Sequence, residues 1–336
     1  MRVGQNPIKN QVLVDENYTH QVIIPVHLPS EEGYFKDGLQ ILKLCLDSLM
    51  ITSHDKTFIT VVCNDCSIKV IEYISHLYAL NNVHEVIFTN GIGKINAILK
   101  GLAGQNCPIV TISDADVLFL NGWQKATYDV FNAFPKAGAV CTTPSSKVLK
   151  QSTDNIYFDF LFSKKMQFET IVNPNAMMKF AESIGNPDFY NANQLKYNLI
   201  IQKNNCKAIV GAGHFVATYN RNIFKKPKAI FSNKKIGNDL QKFIDEPVLT
   251  KGYYRLSTVE NFTYHMGNMK EDWMEKTIKA LEKHDYNYLL PKLETQKNNY
   301  FKRVLVKITF RIISNKNIWK LFLRLKGLTK EVAKQY

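Results

Sequence analysis

The chain has 336 residues, 45% of them hydrophobic, and 43 Lys and Arg against 29 Asp and Glu, a formal charge of +14. That is enough chain to bury a sizeable α/β core with an appendage. No apolar run reaches the roughly 18 residues that cross a bilayer, and the start lacks the basic stretch and apolar core of a signal peptide. The cysteines, Cys45, Cys63, Cys66, Cys107, Cys141 and Cys206, show no zinc-ligand spacing. Cys63 and Cys66 form a CxxC with no second pair, so the set reads as reduced, mostly buried thiols. The sequons at Asn17 and Asn261 are then without consequence.

In chain order, residues 20–26 are a short β-branched run closed by Pro25 and Val26, which predicts a first strand. Leu42, Leu46 and Leu49 fall at helical spacing within 39–50, and 57–63 is a second apolar strand running into a polar turn at 64–67. Strand, helix, strand is the unit of a parallel sheet. A third strand at 85–88 precedes residues 89–99, a glycine-containing turn opening a helix. Residues 109–120 then read as one apolar strand carrying Asp114 and Asp116. Residues two apart in an extended chain share a side, so both carboxylates can face one divalent cation. Two acids at this spacing also arise by chance, and the order of the pieces around them gives the motif its weight.

That order, IIPV, CNDCS, NGIGKINAILKGL and TISDADVLF, resembles the nucleotide-sugar-binding half of family 2 glycosyltransferases, closely over 20–145 and more loosely over 210–268. The resemblance implies a GT-A fold, a Rossmann-like mixed sheet flanked by helices, with a nucleotide-sugar half at about 20–145 and an acceptor half at about 146–270. It implies Mn²⁺ or Mg²⁺ held by Asp116 against the diphosphate of a donor, with Asp114 contacting the metal or the ribose and UDP-sugars the expected class. Pro25 would line the nucleotide site, Asp65 would accept from the uracil ring, and Lys94 would meet phosphate or base. The family usually has an acidic residue just after its second strand, where this chain has Asn64 followed by Asp65. Residues 145–207 carry no family landmark.

The second half must supply the acceptor site and a base. Residues 210–219 read as a glycine-led strand, placing Gly213 and His214 at the acceptor pocket and leading into Arg221. Asp245 and Glu246, before a short helix and the KGYYRL pattern, resemble the family's acidic pair, either residue being the base. An acidic pair before a proline also suits a helix start. His265, late in the chain, matches the place from which many GT-A enzymes return a histidine to the metal, although a lone histidine is more often structural. His54, His76 and His284 read as ordinary.

A connector at 271–299 leads to a tail, 300–336, whose residues 302–334 carry ten Lys and Arg against Glu331 alone. Arg303, Lys307 and Arg311 step by four, as do Lys316, Lys320 and Arg324, with apolar residues between and an interruption near Ser314 and Asn315. This predicts two basic amphipathic helices suited to an anionic membrane surface. Packing on the core or in a homo-oligomer is the alternative, and no RNA-binding or helix-turn-helix motif points to nucleic acid. The expectation is a peripheral enzyme at the inner face of the cell membrane. It would be an inverting transferase moving sugar to a glycan or lipid-linked acceptor in bacterial surface polysaccharide assembly. An inactive nucleotide-binding scaffold and a sugar nucleotidyltransferase remain as alternatives, the latter expected to show an N-terminal glycine-rich loop where 25–38 holds only Gly33 and Gly38.

Overall fold

The computed structural model describes residues 4–12, 18–225, 230–235, 239–283, 288–296 and 299–336. Asn17 and His284 lie outside the described residues. The strands are β1 His20–Leu28, β2 Thr57–Cys66, β3 Glu85–Thr89, β4 Ile109–Ser113, β5 Val117–Phe119, β6 Ala137–Cys141, β7 Met166–Thr170, β8 Tyr197–Lys203, β9 Cys206–Val210, β10 Val216–Asn220, β11 Tyr254–Ser257 and β12 Thr263–His265. The helices are α1 Gly38–Thr52, α2 Ile68–Ala79, α3 Lys94–Leu102, α4 Trp123–Ala133, α5 Asp154–Phe160, α6 Pro174–Ser183, α7 Glu246–Thr250, α8 Asp272–Lys279, α9 Tyr300–Ile313, α10 Lys316–Leu325 and α11 Lys330–Gln335.

The α/β class, the large mixed sheet flanked by helices and the C-terminal helical extension expected from the sequence are all observed. Ten strands run in the order β3-β2-β1-β4-β10-β6-β11-β9-β8-β7. The first four are parallel, as the βαβ reading requires, and β10 enters antiparallel between β4 and β6. Buried Val22, Ile24, Val61 and Cys63 pack against Leu42, Leu46 and Leu49 of α1 on one face. Ile23, Val62 and Val110 meet Ile95 and Ile98 of α3 on the other. The strands therefore show apolar residues to both faces, as parallel strands between helices must.

The structure departs from the sequence reading at the acidic pair. Residues 109–120 are two strands, not one: β4 ends at Ser113, and β5 leaves the main sheet to pair with β12, His265 opposite Val117. Asp114 and Asp116 therefore lie in the turn between strands, where the alternation of an extended chain does not apply. The 210–219 run is likewise broken, with β9 ending at Val210 and β10 starting at Val216. The polar turn expected from residue 64 is extended chain to Cys66, interrupted only by the left-handed backbone of Asp65 (φ 68°). All six cysteines are free, four of them buried.

The two tail helices form with their break where expected, and they are docked. Ile313, Phe322 and Leu323 are buried in a core shared with Tyr157, Phe168 and Leu199, and Val306 of α9 is buried as well. The Tyr157 ring lies 5.6 Å from Phe310, 5.8 Å from Trp319 and 5.4 Å from Phe322. On edge strand β7 the Phe168 amide donates to the Lys326 carbonyl at 2.7 Å, so the tail satisfies an edge group that would otherwise be open for pairing. A second apolar stripe of α9, Phe301, Leu305, Ile308 and Ile312, stays at the surface, as do Ile318, Leu321 and Leu325 of α10. No helix among the described residues is long and apolar enough to cross a membrane.

Candidate functional site

A cavity of about 480 Å³ opens at the C-terminal ends of the parallel strands, where ligands of open α/β sheets collect. Pro25, Asp65, Lys94, Asp114 and Asp116, all singled out in the sequence, line it. So do His27, Tyr34, Phe35, Lys235 and Asn268, which sequence reasoning missed. Tyr34 and Phe35 lie in a short turn between β1 and α1, and an adjacent aromatic pair following the first strand was the available signal.

The rear wall is built from backbone. Asn64 is buried, and its Oδ1 accepts from the Thr89 hydroxyl at 3.0 Å and the Ile92 amide at 2.8 Å, tying the end of β2 to the turn before α3. The position where the sequence resemblance looked for an acid thus holds a residue that fastens two loops. Asp65 faces the cavity with its side chain about half exposed, 4.0 Å from His27 Nδ1. Gly93 opens α3 at φ +88°, and a Cβ on it would stand 2.7 Å from the Lys234 carbonyl. Only glycine admits this crossing of residues 234–235 over the helix start, where the Lys94 amide donates to the Lys235 carbonyl at 3.0 Å.

The acidic turn is held from both sides. The Asp114 amide donates to the Phe215 carbonyl at 2.7 Å, and the Met266 amide to the Asp116 carbonyl at 2.7 Å. Lys94 Nζ forms a close ion pair with Asp114 Oδ1. The two carboxylates are thereby given different partners, Lys94 for one and His265 for the other. His265 Nε2 is 3.4 Å from Asp116 Oδ2. Burial pushes the Asp116 carboxyl above its ordinary value; His265 opposes this, Asp114 adds to it and Lys94 opposes it.

The hydrogen bonds around His265 fix what it offers. The Ser183 hydroxyl donates to the Phe180 carbonyl at 2.8 Å, so its oxygen accepts from His265 Nδ1, 2.9 Å away. In the neutral ring Nε2 then carries a lone pair aimed at a carboxylate oxygen. Two acceptors so placed need a positive charge between them, a proton on the imidazole or a metal ion. Asp116 Oδ1 is also buried without a hydrogen-bond partner. No group of three or more His, Cys, Asp or Glu among the described residues holds a metal by itself. A site of one carboxylate and one imidazole nonetheless fits Mg²⁺ or Mn²⁺, which commonly take their remaining ligands from phosphates and water.

The other predicted residues gather elsewhere. Gly213 and His214 lie in the loop between β9 and β10, next to Phe215, whose ring packs 5.3 Å from that of His265. Asp245 is buried at 1% exposure and faces His214 and Arg255. Glu246, its neighbour, lines a different cavity of about 590 Å³ with Arg221, Lys242 and Lys251. Arg221 itself is spent on the fold, donating to the carbonyls of Cys107, Leu102 and Gln105.

No family model matches the chain, and no curated protein matches its sequence. Among solved structures, the mannosyltransferase PcManGT from Pyrobaculum calidifontis, in complex with GDP-Man and Mn²⁺, is similar with a TM-score of 0.42 and 15% identity over 74% of this chain. The chain spans 57% of that protein. TarS 1-349 of S. aureus in complex with UDP-GlcNAc gives 0.41 and 11%, over 94% of this chain and 70% of that one. GalNAc-T7 with UDP, GalNAc and Mn²⁺ gives 0.47 and 11%, over 75% of this chain and 44% of that one. Likenesses of this size assign no role to any residue here.

Proposed function

We propose that this chain is a divalent-metal-dependent glycosyltransferase of GT-A type that takes its sugar from a nucleoside-diphosphate donor. The observation that carries the reading is the pairing of Asp116 with His265 Nε2 beside the cavity that Asp65, Lys94 and Asp114 line. Asp116 and His265 would hold the metal, Asp114 standing beside them through Lys94. When bound, the metal offsets the charge that develops on the departing diphosphate. Lys94 and Lys235 add fixed positive charge at that cavity. Asp65 and His27 offer polar contacts to a base edge, with Tyr34, Phe35 and Pro25 as apolar walls. The loop holding Gly213 and His214 is the proposed acceptor side. A uridine donor, inversion at the anomeric carbon, and a glycan or lipid-linked acceptor in bacterial surface polysaccharide assembly follow from the sequence resemblance.

The proposal extends to the tail: the exposed stripes of α9 and α10, on helices that also carry Lys307, Arg311, Lys320 and Arg324, suit an anionic bilayer at the cytoplasmic face. Charge complementarity favours this occupant, because the two helices that carry the unburied stripes are rich in cations and a second like-charged copy would be repelled.

The test is calorimetry and turnover with UDP- and GDP-sugars, with and without Mn²⁺. Metal-dependent binding and slow release of nucleoside diphosphate support the transferase, with both lost in Asp116→Asn. Pyrophosphate exchange would point to a nucleotidyltransferase, and binding without release to a scaffold. Unchanged diphosphate affinity in Asp116→Asn would remove the metal role.

A further inference from the structure

Beside the donor cavity, three ionisable side chains from separate segments converge. Asp245 ends the wide helical turn Gln241–Asp245, Arg255 sits on β11, and His214 projects from the β9–β10 loop. Arg255 is wholly buried and spends Nη1 on the Gln151 carbonyl at 2.9 Å and Nη2 on the Ala212 carbonyl at 2.6 Å. Nη2 also stands 2.9 Å from Asp245 Oδ1, and Asp245 Oδ2 stands 3.0 Å from His214 Nδ1. The guanidinium thus balances a carboxylate that would otherwise be an isolated buried charge.

This geometry removes Asp245 from direct contact with an acceptor. A general base must come within hydrogen-bond reach of the proton it takes. Both Asp245 oxygens are turned to partners inside the protein, and the side chain is 1% exposed. Glu246 opens into the other cavity. The imidazole is the member of the trio that meets solvent, 37% exposed while its Nδ1 is buried. It is also close to the donor side in the chain, since the next residue, Phe215, takes the Asp114 amide hydrogen bond.

We infer that His214, rather than a carboxylate, takes the proton of the attacking hydroxyl, and that Asp245 is a positioning residue that fixes the imidazole and faces the charge it acquires. This rests on the glycosyl-transfer reading above. In the step, a lone pair of the acceptor oxygen forms the bond to the anomeric carbon. The bond from that carbon to the diphosphate oxygen breaks, its electron pair leaving on the diphosphate. The hydroxyl proton passes to His214 Nε2, giving an imidazolium whose Nδ1–H points at Asp245. A carboxylate that orients an imidazole and stabilises its protonated form is an established general-base device. The two groups stand at contact distance without an aligned hydrogen bond, and catalytic hydrogen bonds of this kind tighten in the reacting complex.

The test needs no knowledge of the acceptor, because water serves as one. Hydrolysis of UDP-GlcNAc, UDP-galactose and GDP-mannose by the full chain with Mn²⁺ is followed as release of nucleoside diphosphate. The His214→Gly variant, which keeps the Asp245–Arg255 pair, is expected to lose about 10²–10⁴-fold in kcat with UDP affinity unchanged, and to regain activity with added imidazole. Asp245→Asn is expected to lower kcat without changing UDP affinity. The double variant should be no slower than His214→Gly alone, a non-additivity that a structural role would not give. If Asp245→Asn fails to fold, His214→Gly with and without imidazole decides. Wild-type turnover with His214→Gly within threefold of it overturns the assignment and leaves the transferase reading standing. No nucleoside diphosphate from any donor with the wild type brings both down.

Discussion

The Asp114 amide and the Phe215 carbonyl are joined by a 2.7 Å hydrogen bond that carries the β4–β10 ladder one step past the end of both strands. Through it the turn bearing Asp116 and the loop bearing His214 are tied together, so the proposed donor and acceptor sides are positioned by the same pair of neighbouring strands. Phe215 completes the join with its ring, which stacks on Phe180 at 5.2 Å and meets His265 edge-on.

Ser183 is predicted to matter for metal binding although it touches no metal. It fixes the His265 tautomer, and loss of such a partner typically costs 10–100-fold in metal affinity. Ser183→Ala should weaken Mn²⁺-dependent UDP binding by that amount in calorimetry while leaving metal-free UDP binding as it is. Wild-type Mn²⁺ dependence in the variant would show that Nε2 is not a ligand.

Gly93→Ala should damage the donor cavity from behind. The added Cβ meets the Lys234 carbonyl at a position where φ is +88°, a backbone conformation costing about 1–3 kcal/mol for a side chain. A lower thermal midpoint with weaker UDP binding is expected. An unchanged midpoint would mean that residues 234–235 yield freely.

Stability should fall as pH drops below about 6.5. His20 is buried, bonded to the Tyr128 hydroxyl at 2.7 Å and the Thr111 hydroxyl at 2.7 Å, and burial holds its imidazole well below the ordinary value, with His54 adding to the effect. His54 is lowered to about 4, chiefly by burial. The unfolded chain therefore takes up protons on these rings between about 6.5 and 4 while the folded chain does not, and the balance shifts toward unfolding. The slope of thermal midpoint against pH from 6.5 to 5 should flatten in His20→Gln. An identical slope in both proteins would assign the acid sensitivity to other groups.

For the tail, truncation is a poor probe, because it would expose Tyr157 and Leu199 in the core it covers. Replacing Phe301, Ile308 and Ile312 by Ser alters only the outer stripe. Release from phosphatidylserine vesicles, with unchanged thermal midpoint and UDP affinity, is the expected result. Wild-type binding should also weaken with salt, each basic residue contributing on the order of 1 kcal/mol near such a surface. Wild-type protein that never sediments with vesicles would leave the stripe without a membrane role.

Much of the first half was legible because its signals are local. The β-branched run at His20–Leu28, the leucines of Gly38–Thr52 and the glycine turn before Lys94 each report on a few neighbours in sequence. The break after Ser113 was not legible, since it depends on β5 pairing with residues 263–265, about 150 positions away. The surroundings of Asp245 and Glu246 were hidden for the same reason. Adjacent in sequence, they meet different surroundings, and Arg255 and His214 become partners of one of them only through the fold. The amphipathic pattern of the tail gave its helices, but a pattern cannot tell which apolar side meets the core and which stays free.

The docking of the tail settles how the rest of the molecule would be carried. Lys326 bonds the carbonyls of Phe160 and Ser163 as well as presenting its own to Phe168, so α10 is clamped at its end to the body. A stripe fixed in this way sets height and tilt together. On the proposed membrane reading, a molecule resting on it would search in two dimensions and would meet substrates diffusing in that plane at one constant orientation.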